Sequence, residues 1–172
     1  MKFSFSLVAL ALGGTALALP TAELEARQNS GSYTIAGLGA RKKQITAAGA
    51  NTFDLAIAML ESEHMTADYA YGDNKQQDSA NFGIFKQNWG LLRECCPRFK
   101  GQPQSNWNNG AVLNSNLNAD VQCLTEPECQ NYYGLDRHPE LPQRVNYIQT
   151  QLTTRPNGLT NDVRYWVYVV PI

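Results

Sequence analysis

Residues 53–89 hold two carboxylates and a run of amides and aromatics that could do chemistry together. Glu61 closes an apolar stretch, residues 53–60, and Asp73 sits in the turn Tyr71-Gly72-Asp73-Asn74-Lys75. At the C-terminal end of a buried helix, a negative macrodipole and withheld solvent both disfavour a charged carboxylate, so Glu61 is expected to keep its proton and to be able to donate it. In a wet turn Asp73 is expected to stay ionised and to accept one. Two carboxylates in contrasting surroundings divide into a general acid and a general base. The competing reading makes Glu61 a side chain surfacing at a helix end and Asp73 a turn residue bonded to its own backbone.

Around the pair stand groups suited to a hydroxyl-rich ligand. Amides bond hydroxyls and an indole stacks on an apolar ring face, so Asn81, Gln87, Asn88 and Trp89 are expected as substrate contacts, with Glu63, Tyr71, Asn74 and Lys75 beside them. His64 and His138 are read as non-catalytic; Ser62-Glu63-His64 is no zinc motif, and no second histidine lies a helical turn away. A calcium loop over residues 73–78 is set aside, because Lys75 and Gln77 fall at ligand positions and the closing Glu is missing. No metal and no cofactor is expected.

The elements that must position these groups follow in chain order. A helix is expected over residues 40–48, stopped by Gly49, with Arg41, Lys42 and Lys43 on a solvated face. Asn51 or Thr52 caps the next helix, with Asp54 in its first turn, and residues 53–60 are apolar nearly all round, the pattern of a core helix. Residues 69–71 and 81–85 read as a hairpin. A short helix over residues 90–96 ends at Pro97. A polar loop covers residues 99–110. An amphipathic helix over residues 111–124 turns Leu113, Leu117, Val121 and Leu124 inward and Asp120 outward. Residues 126–129 read as a loop and Tyr132-Tyr133-Gly134 as an aromatic wall. Pro142 opens a helix with Val145, Ile148 and Leu152 buried. Residues 156–158 form a turn. Val163, Tyr165, Val167 and Val169 alternate like a strand, yet Asn161-Asp162 would also cap a helix, and both readings stay open.

The 172 residues suffice for one domain with a real core. A net charge of −1 without a long basic cluster argues against nucleic acid. Met1-Lys2, the apolar run of residues 6–12 and Ala16-Leu17-Ala18 read as a signal peptide over residues 1–18. Residues 19–30 follow as a pro-segment or spacer, and residues 31–172 as a single catalytic domain. No stretch is long enough to span a bilayer, so the protein is expected to be secreted, extracellular and without a membrane partner. The four cysteines, Cys95, Cys96, Cys123 and Cys129, then form two disulfides. Adjacent Cys95 and Cys96 each reach Cys123 or Cys129, in either connectivity.

The block Leu55-Ala56-Ile57-Ala58-Met59-Leu60-Glu61, then Asp68-Tyr69, Tyr71-Gly72-Asp73-Asn74-Lys75 and residues 79–89 closely resembles glycoside hydrolase family 134. The likeness runs from about Tyr33 through Gly134 and resumes over residues 159–172. It implies an α+β, lysozyme-like fold, mainly helical with a small β-hairpin beside the cleft. It implies an inverting endo-β-1,4-mannanase acting on linear mannan, with Glu61 as the acid and Asp73 as the base; the protein is expected to be a monomer. The sequence departs from the family in a shortened stretch, residues 135–140, in Glu126-Pro127-Glu128-Cys129 and in the Cys95-Cys96 doublet. A lysozyme-like peptidoglycan hydrolase and a non-catalytic secreted glycan-binding protein are the alternatives.

Overall fold

In the computed structural model, which describes residues 27–134 and 140–170, the chain opens on strand β1, Arg27–Thr34. The proposed signal peptide, most of the spacer, His138 and the shortened stretch up to Pro139 lie outside the described residues. Residues 27–30, given to the spacer from sequence, belong to β1, because the C-terminal strand pairs with them.

Helix α1, Leu38–Ala47, follows and stops where expected, with Gly49 left-handed just beyond it. Its basic triplet is not a uniformly solvated face. Lys42 is fully buried, and its ammonium donates to Gly158 O, Asn161 O, Asn161 Oδ1 and Val163 O at 2.8–3.0 Å. A charge with that many oxygen partners can stay dry. Helix α2, Thr52–Glu61, starts at Asn51 with a capping box. Asn51 Oδ1 accepts from Phe53 N and Asp54 N, while Asp54 Oδ2 accepts from Asn51 N. Residues 55–59 are wholly buried, as the apolar run requires.

The hairpin expected between residues 69–71 and 81–85 does not form, and a different one takes its place. Strand β2, Asn81–Phe82, pairs with β3, Gln87–Asn88, across a turn over residues 83–86 in which Gly83 and Lys86 have positive φ. Residues 69–71 form no strand. Tyr69 instead donates its hydroxyl to Gly83 O at 2.7 Å, and Tyr71–Asn74 is a 3₁₀ turn. Helix α3, Trp89–Cys95, leads into a loop and a 3₁₀ segment, Gln104–Ala111.

The amphipathic stretch expected over residues 111–124 is broken at Asn116 into α4, Val112–Ser115, and α5, Leu117–Thr125. Asn116 has a non-helical backbone, and its side chain caps α5 by accepting from Ala119 N. Asp120 is fully buried, not outward-facing. Residues expected as a loop begin helix α6, Pro127–Gly134, where proline suits the first position. Helix α7, Glu140–Thr154, buries Val145, Ile148 and Leu152 as read. Disulfides join Cys95 to Cys129 and Cys96 to Cys123, so α3 is tied to both α6 and α5.

Strand β4, Val163–Val170, decides the C-terminus: it pairs antiparallel with β1 from Arg27↔Val170 to Thr34↔Val163. The capping signal at Asn161-Asp162 is used at a distance, because Asp162 accepts from Gly37 N and Gly39 N at the start of α1. Gly39 is needed there, since a Cβ would collide with the Thr160 backbone. The result is a mainly helical α+β architecture of the lysozyme-like kind, with one hydrophobic core around α2 and a small hairpin beside its end. Among the described residues, no helix is long and apolar enough to cross a membrane.

Candidate active site

Helix α2 ends at Glu61 because Ser62 turns to extended backbone. Glu61 is half-buried at that end. Burial pushes its carboxyl above the ordinary value, and the Asp73 charge adds to the rise. The cations of Lys86, Arg144 and Lys75 pull the other way without cancelling it.

Asp73 lies in a run of three left-handed residues, Gly72, Asp73 and Asn74, with φ of 61°, 58° and 58°. Glycine, aspartate and asparagine are the types that tolerate this conformation. The turn aims the Asp73 carboxylate into a ring of donors. Asn81 Nδ2 donates to Oδ2 at 3.0 Å, Lys86 Nζ to Oδ1 at 3.1 Å, and Lys75 Nζ stands 3.6 Å from Oδ2. Partial burial pushes this carboxyl up, but those bonds and the two lysine charges outweigh it and hold it below the ordinary value. One carboxyl is therefore biased to keep its proton and its neighbour to lose one, which is the division of labour that acid–base catalysis needs.

Residues 39–140 of this chain, more than half of it, match the profile of glycosyl hydrolase family 134. The chain belongs to glycosyl hydrolase family 134. No curated protein matches it. Membership makes this a glycoside hydrolase with a polysaccharide as its class of substrate. The matched span contains both carboxylates.

In this family 134 protein the other expected site residues scatter. Asn81 touches Asp73, and Lys75 stands beside it. Asn74 is exposed in the same turn. Tyr71 is 52% exposed, donates to Asn108 Oδ1 at 3.0 Å and packs its ring edge against Trp107 and Phe82. Glu63 is exposed but turns toward β1, accepting from the Tyr33 hydroxyl at 2.8 Å. Asn88 caps α3 by accepting from Leu91 N.

Gln87 and Trp89 are corrections. Both are fully buried and offer a sugar no face. Gln87 Nε2 donates to Asp120 O and Oδ1, and the Trp89 ring packs on Phe99 at 5.4 Å. The amide and aromatic run is here a β-strand and the first turn of a helix, so alternate residues point into the core.

Three contributors escape a sequence reading. Lys86 bonds Asp73 from the hairpin turn, with its ammonium 4.8 Å from the Tyr69 ring centroid. That Tyr69 hydroxyl is pushed well up by burial and by the charges of Asp120, Asp73 and Glu61. Arg144, from α7, reaches Val167 O and acts on Glu61. Lys86 had a usable signal, being a lone cation among turn and amide residues. Arg144 had none, because only the packing of α7 brings it near. Among the described residues, no three His, Cys, Asp or Glu side chains gather to hold a metal.

Proposed function

We propose that the chain is a secreted endo-β-1,4-mannanase that hydrolyses linear mannan with inversion, Glu61 acting as general acid and Asp73 as general base. The opposed bias of the two carboxyls carries this reading. Glu61 gives its proton to the glycosidic oxygen as the bond from the anomeric carbon breaks. Asp73 takes a proton from a water whose oxygen bonds to that carbon from the opposite face. Glu61 is left as carboxylate and Asp73 as acid, and solvent returns the proton. Inversion calls for carboxyl groups roughly 6.5–9.5 Å apart, with the water between. Each Asp73 oxygen keeps a lone pair for that water beyond its bond to Asn81 or Lys86.

Mannan as the substrate rests on the resemblance of the Tyr71-Gly72-Asp73-Asn74-Lys75 block. Tyr71, Asn74 and Lys75 are exposed beside Asp73 and are the proposed sugar contacts. Residues 1–18 are proposed to be removed on secretion, and the protein to work as a monomer of one catalytic domain.

Proton NMR of fresh mannohexaose with the mature protein tests the reaction. The α-anomer is expected first, and β-anomer first would sink inversion. Lysis of peptidoglycan with mannan left intact would select the lysozyme-like alternative. Mannan binding without turnover would select the non-catalytic one.

A further inference from the structure

The Asp120 carboxylate is the deepest acidic group near the site, yet the reaction does not use it. It is fully buried on α5 and reaches across to the hairpin turn. Oδ2 accepts from Ile84 N at 2.7 Å, and Oδ1 accepts from Gln87 Nε2 at 2.8 Å. These two residues flank Phe85 and Lys86, so one carboxyl grips both legs of the turn. The rest of the turn is held too. Gly83 N donates to Asn114 Oδ1, and Gly83 O accepts from Tyr69. Gly83 leaves the space that Asp120 fills, since a Cβ there would overlap the carboxylate. What this turn presents is Lys86, aimed at Asp73 over the Tyr69 ring.

We infer that Asp120 is a positioning residue: by gripping residues 84 and 87 it fixes the hairpin turn that holds Lys86 against Asp73. The inference deepens the proposed function and rests on Asp73 as the base. Its geometric content is independent of any substrate.

The groups around both ends are known. Asp73 faces Asn81 and Lys86 from the hairpin, Lys75 from its own segment and Glu61 from α2. Asp120 faces Ile84 and Gln87, with Arg41 of α1 and Tyr69 in electrostatic reach. Burial pushes the Asp120 carboxyl up to about 7, so it is neutral over the range in which Asp73 titrates. Replacing it therefore takes no charge from the surroundings of Asp73 in that range, and only a displaced Lys86 moves the midpoint.

The experiment is a carbon NMR titration of the Asp73 carboxyl in the full mature chain. Lys86→Met is expected to shift the midpoint upward. Asp120→Leu keeps the branched heavy-atom skeleton and removes both acceptors, and is expected to shift it the same way. Asp120→Asn is expected to restore most of the wild-type midpoint. Its amide oxygen can accept from Ile84 N, and its NH₂ can serve Gln87 Oε1, which is buried without a partner. Lys86→Met combined with Asp120→Leu is expected to shift no further than Lys86→Met alone. If Asp120→Leu does not fold, Gln87→Met decides, with a smaller upward shift expected.

A folded Asp120→Leu, or Gln87→Met in its place, with the wild-type midpoint would overturn the inference. So would a double variant shifted by the sum of the two. The acid limb of kcat/KM on mannan separates this from the proposed function. A midpoint that moves while the limb stays still upholds the positioning role and removes Asp73 as the base.

Discussion

Two fully buried ionisable side chains, Lys42 and Asp120, do similar structural work at different places. Lys42 on α1 collects oxygens from residues 158–163, the segment that enters β4. Asp120 on α5 collects N–H groups from residues 84 and 87 of the hairpin. Burial lowers the lysine to about 8 and raises the aspartate to about 7. Each stands in for ladder hydrogen bonds that a short or irregular segment cannot make. The difference lies in what the held segment carries. The Lys42 segment carries the β1–β4 ribbon. The Asp120 segment carries Lys86 and, through it, the electrostatics of Asp73. A buried ionisable side chain in this fold thus clamps a ribbon in one half and the surroundings of Asp73 in the other.

Variants can break or sharpen that contrast. The largest effect is expected on the hairpin side, where Glu61→Gln or Asp73→Asn should each lower kcat on mannan by about 10²–10⁴ with the fold kept, as circular dichroism would check. On the ribbon side, Lys42→Met removes the donor that Gly158 O, Asn161 O and Val163 O share. It should cost about 1–3 kcal/mol in urea unfolding and leave the midpoints of the pH–rate profile in place. A shifted profile in that variant would break the contrast.

Lys86→Met should move both limbs of the pH–rate bell to higher pH, because the same cation lowers both Asp73 and Glu61. A shift of the acid limb alone would remove Lys86 from the surroundings of Glu61. The smallest effect concerns stability against pH. The folded state raises Asp120 from 3.8 to about 7, so it binds that proton more tightly than the unfolded chain does. The stabilisation is complete below pH 3.8 and is lost as pH rises through about 7. The melting temperature of wild type relative to Asp120→Asn should therefore fall steadily across that window.

Much of the frame was legible in the sequence. The capping residues and apolar run of α2 announce a core helix, and Val145, Ile148 and Leu152 announce α7, because both signals are local. The end of α2 and the Gly72-Asp73-Asn74 turn could be read as two different electrostatic settings for the same reason. Lys42 and Asp120 read as solvated because their partners are 116–121 and 33–36 residues away. The same distance hid the role of Asp162, whose helix start lies on the far side of the chain. Gln87 and Trp89 look like sugar ligands by type, and only the register of β2 with β3 and the packing of the first turn of α3 turn them inward. A break such as Asn116 is hard to see because its neighbours keep the apolar period on both sides.

The cysteine doublet has a consequence for anyone preparing the protein. Cys95 and Cys96 close loops with Cys129 and Cys123 over sequence separations of 34 and 27. Exchanging the partners would give two loops of nearly the same length, so chain entropy, worth about 3–4 kcal/mol per bridge in either set, does not choose between them. Only the docking of α5 and α6 on α3 makes the choice. A scrambled product would have the same intact mass and the same count of free thiols. Telling the isomers apart by peptide mass requires cuts both between residues 95 and 96 and between residues 123 and 129, and neither stretch has a basic residue to invite trypsin.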